Sequence, residues 1–122
     1  MTIQECYAAL EGDYQEVLGR LYSEALVQRF VGKFLADQSF PLLERSMREQ
    51  NYEEAFRAAH TLKGVTQNLS FTKLYRSSHE LTEALRAQDY GLAVRLFSTV
   101  EADYAQTAAA IQAYQTDASG PS

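Results

Sequence analysis

Cysteine is nearly absent from this 122-residue chain: Cys6 stands alone, so no internal disulfide forms and nothing points to an oxidising compartment. A small apolar role in the first helix is expected of it. Proline occurs only as Pro41, tolerated in the first turn of a helix, and as Pro121 near the end. Strand formers are scarce, since Val and Ile together number 8 against 31 for Ala plus Leu, which points to an all-α domain. No apolar run approaches the ~20 residues of a membrane span. The Met1–Glu5 start has neither the basic flank nor the apolar core of a secretion signal. Basic charge is in deficit, with 11 Lys and Arg against 16 Asp and Glu and a net charge of −5, which argues against a nucleic-acid binder. These absences lead us to expect one cytoplasmic, helical, membrane-free domain with reduced thiol.

What is present supports a packed core, because 46% of the residues are apolar. Thr2-Ile3-Gln4-Glu5 and Asp13-Tyr14-Gln15-Glu16 each set a capping residue three before a Glu, predicting short helices over 3–10 and 14–20. Ser23 starts a longer helix to about Ala36, with Val27, Phe30, Val31 and Phe34 on one side. Ser39 is expected to cap a helix through about Gln50, with Phe40, Leu43 and Met47 inward. Asn51-Tyr52-Glu53-Glu54 reads as a further capping box, opening a helix over 52–69 whose stripe is Ala55, Ala59, Leu62, Thr66 and Leu69. A break at Ser70-Phe71-Thr72 precedes a helix over 73–88, with Leu74, Ser78, Leu81 and Leu85 inward. Asp89 caps the last helix, 90–115, with Ala93, Leu96, Val100, Tyr104, Thr107 and Ile111 inward. Helices of this length joined by short turns predict an antiparallel up-and-down four-helix bundle with short extra N-terminal helices. Residues 1–115 form one domain in this reading, and 116–122, with Gly120-Pro121, form a flexible tail.

The informative stretch is Ala59-His60-Thr61-Leu62-Lys63-Gly64. His60 lies one residue, about 100°, off the Ala59–Leu62 seam, so its ring should reach the bundle edge. Lys63, Gly64 and Gln67 follow at i+3, i+4 and i+7 and extend the same face. A mid-helix glycine costs about 1 kcal/mol relative to Ala, a cost that makes sense where a partner must come close. Between Ala55 and His79 there is no acidic residue, whereas Arg57, Lys63, Lys73 and Arg76 are basic. An acidic chain with a basic segment centred on a histidine suits a negatively charged group. Neutral imidazole offers a nitrogen lone pair near neutral pH, and Lys63 is placed to hold phosphoryl oxygens.

His60-Thr61-Leu62-Lys63-Gly64, followed by Asn68-Leu69 and by the pattern Leu74, Leu81 and Glu83-Ala84-Leu85, resembles the histidine-containing phosphotransfer (HPt) domains. The similarity runs from roughly Asp13 to Ile111. The resemblance implies a relay in two-component signalling, in which a receiver domain's phosphoaspartate passes its phosphoryl group to His60 and His60 passes it to a second receiver. It implies that Lys63 stabilises the phosphoryl group and that Gly64 permits docking. Response-regulator receivers are the expected partners, with a hybrid histidine kinase as a further one. The receiver supplies Mg²⁺, and no intrinsic cofactor, metal site or ATP-dependent kinase activity is expected of this chain. Gln67, Arg57 and Phe56 are the further docking candidates. Two departures stand out: Ser70 replaces a frequent glycine, and Thr82 replaces a Gln or Glu that often bonds the histidine, a role for which Gln67 is the expected substitute.

Competing readings make distinct demands. A sensor-kinase fragment usually carries an acidic residue after its histidine and a proline soon after, where this chain has Thr61 and no proline between His60 and Pro121. A chemotaxis-kinase phosphoacceptor domain is closer in fold but normally begins a much longer protein; the two ends here lead us to expect a stand-alone relay protein, and a monomer is expected. His60 and His79 lack a third ligand at matching spacing for a metal, and His79 is expected to be solvated. From another class, a non-catalytic helical bundle would dock a receiver or another partner through Phe56, Gly64 and Gln67 without chemistry.

Overall fold

Side-chain caps decide where the helices begin. In the computed structural model, which describes residues 1–119, Thr2 Oγ1 accepts the Glu5 N–H and Glu5 returns a bond to the Thr2 N–H, opening α1 (Ile3–Leu10) with the expected capping box. Asp13 opens α2 (Tyr14–Leu21) and Ser23 opens α3 (Glu24–Phe34), each accepting the N–H three residues on. Ser39 does not cap α4 (Ser39–Arg48): it is the first helical residue, and Asp37 Oδ1 accepts its N–H at 2.8 Å. An Asp two residues earlier reaches that donor while Gln38 holds the cap position without a side-chain bond. Asn51 caps α5 (Tyr52–Asn68), although Glu54 turns its carboxylate to Arg57, so the reciprocal half of the box does not form. After α6 (Thr72–Arg86), Asp89 Oδ1 accepts the Leu92 N–H near the start of α7 (Tyr90–Ser119).

The last helix overruns the expected boundary at 115. Residues 116–119 continue α7, and the Met1 ammonium pairs with the Asp117 carboxylate. Cationic charge near a helix C-terminus is favourable, and here it comes from the residue two places before α1. Gly120, Pro121 and Ser122 lie outside the described residues.

The expected stripes are the buried ones in α5 and α6: Ala55, Ala59, Leu62, Thr66 and Leu69, and Leu74, Ser78, Leu81 and Leu85. In α7, Ala93, Val100, Thr107 and Ile111 are buried and Leu96 and Tyr104 half-buried. Each large apolar side chain fully removed from water contributes roughly 1.5–3 kcal/mol. α5 lies against both α4 and α6, and α6 against α7. Phe40 of α4 stacks on Tyr104 and Phe97 of α7, with ring centroids 3.9 and 6.2 Å apart. Phe30 departs from its expected inward place: it is 39% exposed and its ring carries the Lys33 ammonium at 5.8 Å. Its flank of α3 opens on an apolar groove of about 360 Å³ shared with Leu21, Phe34, Val65 and Leu69.

The N-terminal helices are fastened to the turn that follows α5. Tyr7 Oη donates to Leu69 O at 2.7 Å, Asp13 N to Ser70 O at 2.9 Å, and Lys73 N to Glu11 O at 3.2 Å. Gly12 makes this approach possible, since a Cβ there would stand 2.6 Å from Ser70 O and 2.9 Å from the Tyr7 ring.

Candidate functional site

His60 sits in the middle of α5 and is exposed, as its one-residue offset from the buried Ala59–Leu62 seam requires. Neither ring nitrogen bonds to another described residue. The contact its ring makes is with Phe56, four residues back, with centroids 6.1 Å apart and planes 13° from parallel. Lys63 and Gly64 follow on the same side, both half-buried, and Gln67 is exposed one turn further on. A Cβ at Gly64 would meet nothing within 4 Å. The fold therefore does not need glycine there, and what its absence of a side chain preserves is open space next to the histidine.

The basic segment of the sequence is only partly basic in space. Arg57 donates to Glu53 and Glu54 at 2.8 and 2.7 Å, so its charge is outweighed within a cluster of one cation and two carboxylates. Lys73 Nζ donates to Glu11 at 2.8 Å and to Gln106 at 3.0 Å. The bond to Glu11 raises the Lys73 ammonium above its ordinary pKa, while bonds from Gln106 and then Lys73 lower that of Glu11. Lys63 makes no ion pair among the described residues, which leaves its charge available beside His60.

Thr82, where the sequence comparison looks for a longer polar side chain, is fully buried and donates to Ser78 O at 2.7 Å. Its hydroxyl is thus committed within α6. Gln67 carries no such internal bond. Ser70, in place of a frequent glycine, adopts the left-handed region at φ 56°; its Oγ donates to Glu16 at 2.6 Å and accepts from Arg20 at 3.0 Å. Arg20 also donates to Asn68 O at 2.7 Å and Gln67 O at 3.3 Å, covering carbonyls at the end of the histidine helix.

His79 is not the solvated residue expected. It is half-buried, its Nδ1 is buried without a hydrogen-bond partner, and its ring stacks on Tyr75 at 6.0 Å. α7 lies across this side of α6, and Leu92 and Leu96 share a groove with it. No cluster of three or more His, Cys, Asp or Glu able to hold a metal occurs among the described residues. Among the same residues, no helix is long and apolar enough to cross a membrane.

Two contacts escaped sequence reasoning. Arg86 of α6 lies over the Phe56 ring at 5.0 Å and is held by Glu83 at 3.3 Å; Arg20 anchors the end of α5. Both join residues 30 or more positions apart, for which no periodicity or capping pattern carries a signal.

The described residues are helical throughout their regular structure and expose a histidine beside an open glycine and a lysine on one helix. The family model for the Hpt domain matches residues 25–110, so the chain belongs to the Hpt domain family, the histidine phosphotransfer domains of phosphorelays. No curated protein and no solved structure matches the chain.

Proposed function

We propose that His60 is the phosphoacceptor and that this protein relays a phosphoryl group between receiver-domain aspartates. The observation that carries the reading is a choice between two histidines. The chain has two, both within the matched span, and His60 is exposed with both ring nitrogens free of internal bonds, whereas His79 is half-buried with Nδ1 enclosed. In this reading α4–α7 form the antiparallel four-helix bundle, closed by the Phe40 stack on α7, α1 and α2 are the short extra helices, and the longer α3 lies against α2 and α7.

The chemistry follows from the imidazole. A nitrogen lone pair of neutral His60 forms the N–P bond as the O–P bond to the receiver's aspartate breaks, and the carboxylate leaves with that electron pair. The proton on the other ring nitrogen stays, so the cationic ring carries the dianionic phosphoryl group until it passes on. Lys63 stabilises the equatorial oxygens by charge. Gly64 leaves room for the receiver, which brings its own Mg²⁺, and Gln67 bonds the phosphoryl group or the receiver in place of Thr82. Phosphohistidine and phosphoaspartate are both high in energy, so transfer runs in either direction. A hybrid histidine kinase is one source of the donor receiver, and the protein works as a cytoplasmic monomer.

The test is transfer from a phosphorylated receiver domain to wild type and to His60→Gln. Acid-labile, base-stable label on wild type alone is the expected result. Label on neither protein with several competent receivers, while binding persists, would favour a non-catalytic bundle that docks receivers.

A further inference from the structure

We propose that Phe56 is a positioning residue for His60, and that Arg86 holds Phe56 in place; the inference rests on His60 being the phosphoacceptor. A reactive histidine is commonly oriented by a hydrogen bond to its second ring nitrogen. Here that device is missing: Thr82 has turned its hydroxyl to Ser78 O, and neither nitrogen bonds to another described residue. What restrains the imidazole is the Phe56 ring, at 6.1 Å and 13°, within the range of offset aromatic stacking. Stacking fixes the plane of the ring while leaving both nitrogen lone-pair directions unblocked, which suits a group that must both accept and release a phosphoryl group.

Phe56 is itself restrained. It packs half-buried against the core, and the Arg86 guanidinium lies 5.0 Å from its centroid. Arg86 is in turn tied to Glu83 Oε2 at 3.3 Å. Glu83, Arg86, Phe56 and His60 therefore form a chain of contacts from α6 to the reactive ring. The spacing of Phe56 and His60, four residues apart on one helix, aligns the two rings without any loop. Loss of orientation at a reacting centre is costly, with about 100-fold for a 1 Å misplacement.

The role is separable from docking. Single-turnover transfer from a phosphorylated receiver, measured against receiver concentration, gives a saturating rate and a half-saturating concentration for the full chain. Phe56→Leu is expected to lower the saturating rate about 10-fold with the half-saturating concentration unchanged, and to erase the NMR cross-peaks between the two rings. Phe56→Tyr is expected to restore most of the rate. Arg86→Gln, an exposed change that leaves the core alone, is expected to lower the saturating rate by a smaller factor in the same direction. A raised half-saturating concentration with an unchanged saturating rate would overturn the proposal and make Phe56 a docking contact. Unchanged values for both Phe56→Leu and Arg86→Gln would overturn it outright. Labelling of wild type and His60→Gln by phosphoramidate, a small donor that needs no docking, tests the underlying reading separately: equal label on both would remove His60 as the acceptor and leave the stack without a function.

Discussion

At the residue scale, Gly64 separates stability from function. Nothing lies within 4 Å of where its Cβ would be, and its backbone is helical. Gly64→Ala should therefore raise stability by about 0.5–1 kcal/mol through helix propensity alone, read as a higher denaturant midpoint. The same methyl group stands beside His60, so transfer from a receiver should slow about 10-fold in the single-turnover assay. A substitution that stabilises the fold and impairs transfer is the signature of a glycine kept for a partner. This residue and its neighbours were legible in the sequence, because position on a helix converts directly into position on a face. Phe56 was legible as a neighbour of His60 but not in its engagement with Arg86, which comes from α6; the pairing of Arg57 with Glu53 and Glu54 follows local helix spacing. The expectation for His79 failed for a related reason: the face of α6 on which it lies is covered by α7.

At the element scale, the N-terminal helices and the turn after α5 form one unit. Gly12 is the point of closest approach, with Ser70 O 2.6 Å from the place of a Cβ. The Leu10 side chain at 2.8 Å could move aside but the Ser70 carbonyl is backbone, so Gly12→Ala should cost about 1–3 kcal/mol in chemical denaturation, with α5 losing protection in hydrogen exchange at its C-terminal turn. Helix starts were readable, because Thr2, Asp13, Ser23 and Asn51 accept N–H groups that lie three residues on. Ends were not. Glu11, Tyr22, Gln50, Ser70 and Gln88 all take positive φ between 56° and 61° without being glycine, so the usual stop signal is missing from the sequence. The expected end of α4 at 50 accordingly falls two residues beyond the observed Arg48; that of α3, at 36, overshoots Phe34 by two as well, there with a right-handed cap at Leu35.

At the scale of the whole molecule, burial sets how stability responds to alkali. Burial pushes the Cys6 thiol up to about 11, and burial foremost holds the Tyr7 phenol far above its ordinary range. In the unfolded chain these groups release their protons near ~8.5 and ~10. Between those values and the folded ones the unfolded state binds fewer protons, so stability falls as pH rises. Denaturation midpoints should decline from about pH 9 upward, and less steeply for Cys6→Ala; a thiol reagent at pH 8 should modify Cys6 only on unfolding. The sequence by itself determined the helical class, the buried stripes of α5, α6 and α7, and the face on which His60, Lys63, Gly64 and Gln67 stand, because each depends on a local period of 3.6 residues. Tertiary structure alone decided that Lys73 is paired with Glu11, that Arg20 holds the end of α5, and that Arg86 covers Phe56. Those outcomes depend on side chains brought together from distant parts of the chain, and no local period encodes which of them will meet.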